Sequence, residues 1–94
     1  MIRLSGKLIC KNLEESESVI RLLPEHIRLT KNEPGCVAFD VKGTADPLVW
    51  TVEELFVDRK SFETHQERTK SSRWGIETAA ILRQYEITKV ASGQ

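Results

Sequence analysis

Charge of one sign is not in excess in this 94-residue chain, because fourteen lysines and arginines balance fourteen aspartates and glutamates. A protein without a cationic surplus has little to offer phosphate groups, so we do not expect it to bind nucleic acid. Long apolar runs are also missing, since no stretch approaches the roughly 20 residues of a membrane-spanning helix. The first residues, Met1 to Gly6, lack the apolar core of a signal peptide. We therefore expect a cytoplasmic protein that contacts neither nucleic acid nor membrane.

Cysteine, histidine and glycine are scarce. The two cysteines, Cys10 and Cys36, lie far apart in strand-like runs, which favours free, buried thiols over a disulfide. Neither shares a metal-ligand spacing with His26 or His65, so we expect no metal site. The five glycines are scattered and form no phosphate-binding loop. The sequence therefore offers neither a set of metal ligands nor a phosphate-binding loop.

The length of the chain predicts a single domain over residues 1–94, with no room for a second. Domains this small leave much of their surface exposed after folding, so their margin of stability is narrow. Burying one face against an identical copy is a common remedy, and we expect a homodimer.

Alternation of apolar and polar residues predicts four β-strands. In the second strand, Val37, Phe39 and Val41 share one face. The third strand is rich in β-branched and aromatic residues and follows the second closely, as in an antiparallel hairpin. The predicted strands span about residues 2–10, 36–43, 49–57 and 85–90, and residues 90–94 are expected to fray.

Capping residues and helical spacing predict helices between these strands. Asn12 is a good N-cap for a helix over about residues 13–31. Asp58 can begin a second helix near residue 59. Ser71 or Ser72 can cap a further helical stretch, which is expected to include Trp74, Ala79, Ala80 and Leu82.

The order strand, helix, strand, strand, helix, strand is the split pattern of ferredoxin-like α+β folds. In such a fold a four-stranded antiparallel sheet carries its helices on one face, and the other face needs a cover. The third strand is apolar on both faces, with Trp50, Val52 and Phe56 on one and Val49 and Leu55 on the other. We expect the cover to be the sheet of a second copy.

Four short motifs follow one another at spacings typical of one protein family. They are Glu33-Pro34-Gly35-Cys36 with Phe39, then Asp46-Pro47, then Glu54-x-Phe56, then Phe62-x-x-His65. With these motifs the chain resembles the antibiotic biosynthesis monooxygenase domain family, within the dimeric α+β barrel superfamily.

The resemblance implies a homodimer whose two sheets face each other as a barrel, with a pocket between each sheet and its own helices. Characterised relatives include oxygenases that oxidise phenols, quinols or polycyclic aromatics with molecular oxygen and without flavin, haem or metal. Other relatives degrade haem, and others isomerise small phosphorylated sugars or ketones.

His65 and Glu54 are the candidate catalytic residues. The family places a histidine at the position of His65, where an imidazole could remove the proton of a phenol and leave an anion that oxygen can attack. The alternative is a histidine that only ties its helix to the sheet. Glu54 shares a face with apolar residues and needs a partner there. It could orient His65, accept a substrate proton, or pair with an arginine or lysine and only stabilise the fold.

Four further residues are candidates for substrate binding. Trp50 and Trp74 could stack on a flat aromatic substrate, although large aromatic residues also serve as core or interface residues. Phe56 could form part of the pocket wall or of the core. Arg83, at the entry to the last strand, could hold an anionic or phenolic oxygen. His26 could point to the mouth of the pocket, but we expect it to face solvent or to form a local cap.

The sequence therefore predicts a cofactor-independent monooxygenase acting on a phenolic, quinol or polycyclic aromatic small molecule. Alternatives are an isomerase of a small hydrophilic ketone or sugar phosphate, and a dimer that binds a small molecule without catalysis. A cavity of a few hundred cubic ångströms beside His65 would favour catalysis or ligand binding. A filled interior with an inaccessible, hydrogen-bonded His65 would favour the non-enzymatic module.

Overall fold

The computed structural model describes residues 1–91, which form the predicted ferredoxin-like order with a short additional helix. The last strand begins at Leu82, earlier than predicted, so Ala79, Ala80 and Leu82 lie outside the helix expected to contain them. Val90 exchanges backbone hydrogen bonds with Met1, and the fraying expected for residues 92–94 lies outside the described part of the chain. The elements are β1 (Ile2–Ile9), α1 (Leu13–Lys31), β2 (Cys36–Gly43), β3 (Val49–Phe56), α2 (Arg59–Ser71), α3 (Arg73–Glu77) and β4 (Leu82–Lys89).

All three helices begin with side-chain caps that the sequence supplies. Asn12 Oδ1 accepts from the Glu15 amide at 3.0 Å at the start of α1, and Asp58 Oδ1 accepts from the Ser61 amide at 2.8 Å at the start of α2. Ser72 Oγ accepts from the Gly75 amide at 3.1 Å at the start of α3. Each cap satisfies an amide that the first helical turn leaves without a partner, so the helix starts are determined locally.

The sheet is antiparallel with strand order β2-β3-β1-β4. Its register aligns Phe39, Glu54, Leu4 and Ile87 in one row across the four strands. Leu4, Phe39 and Glu54 of this row are buried on the helix-covered face. The register therefore brings the carboxyl group of Glu54 beneath the helices.

A β-bulge changes one predicted orientation in β2. The pairing shifts between Cys36 and Ala38, so Val37 has no direct partner on β3. Val37 is consequently exposed, whereas Phe39 and Val41 are buried as predicted. The bulge inserts one residue and restores the alternation only beyond it.

The second face of the sheet carries Leu55, which pairs with Arg3, and, towards the other end of β1, Ile9 opposite Leu82. Leu82 is 56% exposed, and Leu55 is half-buried. This is the face that the predicted second copy would cover. Among the described residues, no helix is both long and apolar enough to cross a membrane.

Candidate functional site

His65 occupies the centre of the interface between α2 and the sheet, with only 2% of its surface exposed. It lies one helical turn after Phe62, on the stripe of α2 that packs on β3. Its ring centroid is 4.9 Å from that of Phe56 and 6.0 Å from that of Phe39. The imidazole is therefore surrounded by aromatic rings, and its two nitrogens need polar partners from elsewhere.

Glu33 supplies the partner of one ring nitrogen. His65 Nδ1 lies 2.9 Å from Glu33 Oε1, and Arg68 Nε donates to the other oxygen of the same carboxylate. Arg68 Nη2 also donates to Thr30 Oγ1 at 3.1 Å, which fixes the guanidinium. Because a carboxylate can only accept, it selects the tautomer with the proton on Nδ1. His65 Nε2 then carries the free lone pair.

Glu54 faces that lone pair. Its Oε1 lies 3.6 Å from His65 Nε2, which is longer than a good hydrogen bond. Within the described residues this buried oxygen has no hydrogen-bond partner, although Glu54 is only 7% exposed. The two catalytic candidates of the sequence are thus adjacent, with an unsatisfied acceptor between them.

The protonation states of this pair follow from burial. Burial, reinforced by the negative charge of Glu33, raises the pKa of Glu54 to about 7. Burial lowers the pKa of His65; the Glu33 carboxylate opposes that effect and the Arg68 charge adds to it. Near neutral pH a neutral imidazole therefore faces a carboxyl group that is protonated in a large fraction of molecules, so one proton acceptor and one proton donor stand side by side.

His26 is buried, at 3% exposure, and the prediction that it faces solvent is wrong. Its ring stacks on Trp74 at 4.7 Å between centroids, with the planes 3° apart, and meets the edge of Phe39 at 5.3 Å. Burial lowers the pKa of His26 to about 3, and the positive charges of His65, Arg68 and Arg83 add to this effect. The spacing of residues 19, 23, 26 and 30 along α1 is helical, so the periodicity could have placed His26 on the buried face.

The predicted substrate-binding residues lie in different places. Phe56 is fully buried against His65, and Trp74 reaches the same interior through its stack on His26. Trp50 sits at the start of β3, where its Nε1 donates to Ser16 Oγ at 3.1 Å. Arg83 lies beyond α3. The structure therefore groups Phe56 and Trp74 with the catalytic candidates and leaves Trp50 and Arg83 apart.

The space beside His65 is filled by side chains. A cavity of about 410 Å³ lies further along α2, with Gln66, Thr69, Gly75 and Arg83 among its wall residues, and neither His65 nor Glu54 contributes to it. A smaller depression of about 250 Å³ reaches Glu33 from the other side. The cavity that would favour catalysis is thus near His65 but separated from it by packed side chains.

Arg83 is partly engaged by the protein itself. Its Nη1 donates to the Thr78 carbonyl at 2.6 Å and to the Ile81 carbonyl at 3.0 Å. These bonds fix the guanidinium at the wall of the 410 Å³ cavity. In the described part of the chain, no group of three or more His, Cys, Asp or Glu side chains is arranged to hold a metal ion.

Sequence reasoning missed Glu33 as the partner of His65, and Arg68 as the partner of Glu33. Glu33 belongs to the Glu33-Pro34-Gly35-Cys36 motif that precedes β2, and nothing in that motif predicts a contact with α2. Arg68 lies three residues after His65 on α2, a spacing that puts both on neighbouring parts of one helix face. That spacing was the available signal for Arg68, whereas the approach of Glu33 depends on how α1 ends against α2.

Comparison with protein-family models identifies the family to which the chain is similar. The family model for the antibiotic biosynthesis monooxygenase matches residues 13–74, which include Glu33, Glu54, His65 and Arg68. None of the curated proteins matches the chain.

Solved structures show the same fold. A protein from Nitrosomonas europaea, provisionally named an antibiotic biosynthesis monooxygenase, superposes with a TM-score of 0.77 at 20% identity over 96% of this chain and 98% of that one. A Deinococcus radiodurans protein with the same provisional name superposes with a TM-score of 0.76 at 15% identity, over 100% of this chain and 96% of that one. A conserved Methanosarcina mazei protein superposes with a TM-score of 0.73 at 22% identity, over 94% of this chain and 90% of that one.

Proposed function

Because the chain belongs to the antibiotic biosynthesis monooxygenase family, we propose that it is a homodimeric monooxygenase that oxidises a phenolic, quinol or polycyclic aromatic small molecule. Molecular oxygen is the oxidant, and the protein supplies no cofactor. The observation that carries the proposal is the pair formed by His65 Nε2 and Glu54 Oε1, 3.6 Å apart and not bonded to each other.

The contact between His65 and Glu54 leaves a buried carboxyl oxygen without a hydrogen-bond partner. Leaving a buried polar group without a partner costs about 1–3 kcal/mol, and here the Glu54 oxygen and the His65 nitrogen face each other without a proper bond. Such a cost is typical of sites that keep hydrogen-bonding capacity for a guest. A hydroxyl oxygen that donates to Nε2 and accepts from the Glu54 carboxyl group would satisfy both.

The reaction that fits this pair conserves atoms and electrons. His65 Nε2 takes the phenolic proton, and the electron-rich ring carbon of the phenolate joins oxygen to form a peroxide anion, which takes the proton of Glu54. The Glu54 carboxylate then removes the hydrogen from that ring carbon. The O–O bond breaks, and the departing hydroxide takes the proton held by His65. The sum is one phenol plus one O₂ giving one quinone plus one water, with both residues restored.

Access to the pair requires α3 to move. Gly75 of α3 lines the 410 Å³ cavity, and its neighbour Trp74 closes the interior by stacking on His26. Substrate enters from this cavity, the Trp74 ring gives way, and the fixed Arg83 guanidinium at the wall meets a polar group of the substrate.

A non-catalytic binding dimer is the second candidate function. The observation that favours it is that His65 is 2% exposed, bonded to Glu33 and surrounded by packed side chains. In that case the Glu33–His65 contact only ties the end of α1 to α2. The two candidates differ in whether the protein consumes oxygen.

Oxygen uptake with a panel of hydroquinones and naphthols separates them. We expect uptake of one O₂ per substrate molecule, with one ¹⁸O atom entering the quinone. His65→Ala should reduce the rate about 100-fold or more, the range expected for loss of a general base. Glu33→Gln should reduce it less, and Glu63→Gln, an exposed carboxyl change on the same helix, should not. No uptake with any substrate would assign the fold to the second function, whereas a His65→Ala rate equal to that of the unmodified protein would refute His65 as the base.

A further inference from the structure

A second cleft, of about 400 Å³, lies between the first half of α1 and the connection from β2 to β3. Its walls are largely apolar and include Leu13 and Ile20 of α1 with Pro47 and Trp50 opposite. Leu13 and Ile20 are each 60% exposed, although they are large apolar side chains. The volume is within the range of small-molecule sites, which is about 300–1,000 Å³.

The indole of Trp50 is held in place by a chain of two hydrogen bonds. Its Nε1 donates to Ser16 Oγ at 3.1 Å, and Ser16 Oγ donates to the Pro47 carbonyl at 2.7 Å. Both bonds are made within the protein, so the indole orientation does not depend on a ligand. A rigid aromatic wall binds a ring with little loss of side-chain entropy.

Gly43 leaves one side of that indole uncovered. It pairs directly with Trp50 in the β2–β3 register. A Cβ atom at this position would lie 3.7 Å from the Trp50 ring, which is ordinary contact distance. A larger side chain at residue 43 would therefore rest on the indole and take the place of a ligand ring without straining the backbone.

The charges around the cleft have one sign. Glu17 and Asp46 contribute to its wall, and no lysine or arginine does. Neither carboxylate takes part in an ion pair among residues 1–91. Asp46 uses one oxygen to accept from the Leu48 amide at 2.9 Å, which leaves the other oxygen free. An apolar, aromatic cleft with two unpaired carboxylates is complementary to an organic cation.

We propose that this Trp50 cleft binds a small aromatic ammonium ion, with the ring against the indole and the ammonium group at Glu17 and Asp46. An indole pairs favourably with a second aromatic ring, so the aromatic wall selects the ring and the carboxylates select the positive charge. The cleft shares no wall residue with the 410 Å³ cavity and contains neither His65 nor Glu54. The inference therefore does not depend on the monooxygenase reaction.

The test is an NMR titration of the full-length protein under anaerobic conditions with three matched probes. They are 1-naphthylmethylammonium, the neutral 1-naphthalenemethanol and the anionic 1-naphthoate. We expect the cation to shift the Trp50 indole N–H resonance to saturation and to leave that of Trp74 unchanged. The cation should bind about tenfold more tightly than the alcohol, as two exposed ion pairs allow. The anion should bind more weakly than either.

Two variants connect the signal to the cleft. Gly43→Val should abolish the shift for all three probes while the rest of the spectrum shows a folded protein. Glu17→Gln combined with Asp46→Asn should leave the affinity for the alcohol unchanged and remove the preference for the cation. Equal binding by Gly43→Val, or a cation preference that survives the double change, would overturn the proposal. So would an indole resonance that moves only with protein concentration, because the cleft would then be covered by a second copy.

Discussion

Replacing Glu54 by glutamine should change the way stability depends on pH. The pKa of Glu54 rises from 4.5 to about 7 on folding, mainly because of burial. When folding raises the pKa of a group, that group stabilises the folded state fully at pH values below its pKa in the unfolded chain. This stabilisation is lost as the pH rises through the pKa of the folded state. The shift of roughly 2.5 units corresponds to about 3 kcal/mol of unfolding free energy lost between pH 4.5 and pH 7.

The unmodified protein conceals this loss, because His26 acts in the opposite direction. The pKa of His26 falls from 6.5 to about 3 on folding. The stabilisation that the neutral His26 gives the folded state is therefore complete above pH 6.5 and is lost as the pH falls. Between pH 4.5 and pH 6.5 the loss from Glu54 with rising pH and the gain from His26 offset each other. The contribution of Glu54 is therefore visible only in the difference in unfolding free energy between the unmodified protein and Glu54→Gln.

Urea unfolding of the unmodified protein and of Glu54→Gln, at half-unit steps from pH 4.5 to pH 8, gives that difference. Glutamine keeps the shape of the side chain and removes the titration. We expect the stability of Glu54→Gln relative to the unmodified protein to increase by about 3 kcal/mol from pH 4.5 to pH 8. A difference that stays constant over this range would refute a buried carboxyl group with a raised pKa, and with it the proton donor in the proposed reaction.

Two further changes test the packing around the site. His26→Phe keeps a ring against Trp74 and removes the loss of stability at acid pH that His26 causes, while the loss caused by the lowered pKa of His65 remains. The unfolding free energy in urea at pH 4.5, relative to that at pH 6.5, should therefore be higher in His26→Phe than in the unmodified protein; equal pH profiles of the two proteins would contradict the assignment. Gly75→Ala places a Cβ 1.9 Å from the Thr69 carbonyl oxygen and should cost about 2 kcal/mol or more. The control Gly43→Ala meets only a ring at 3.7 Å and should change stability by less than about 1 kcal/mol in the same assay.

Much of the fold could be predicted because its signals are local. Alternation along the strands and the caps Asn12 and Asp58 depend on neighbouring residues, and the structure confirms the helix starts. The exposed Val37 was missed because a bulge is visible only in the pairing of β2 with β3. The sequence predicts Leu82 in a helix because an apolar residue there fits the period of a helix as well as that of a strand. Its pairing with Ile9 of β1 makes it part of a strand.

The site was predicted only in part. His65 and Glu54 meet because the inward face of β3 and the inward face of α2 bring them together. The strand face could be predicted from the alternation of residues, and the helix face from helical spacing. The partners Glu33 and Arg68 depend on how α1 ends against α2, a contact between residues 32 or more positions apart. The separation of Trp50 from the interior depends on its bond to Ser16, which no local pattern reveals.

The position of one proton tests the central claim most directly. The account requires Glu33 to hold the proton of His65 on Nδ1, so that Nε2 is free to act as a base toward a guest beside Glu54. Imidazole ¹⁵N chemical shifts of His65 at pH 7 report this tautomer. We predict a protonated Nδ1 and an unprotonated Nε2, and a loss of that preference in Glu33→Gln. A proton on Nε2, in the unmodified protein, would contradict the account.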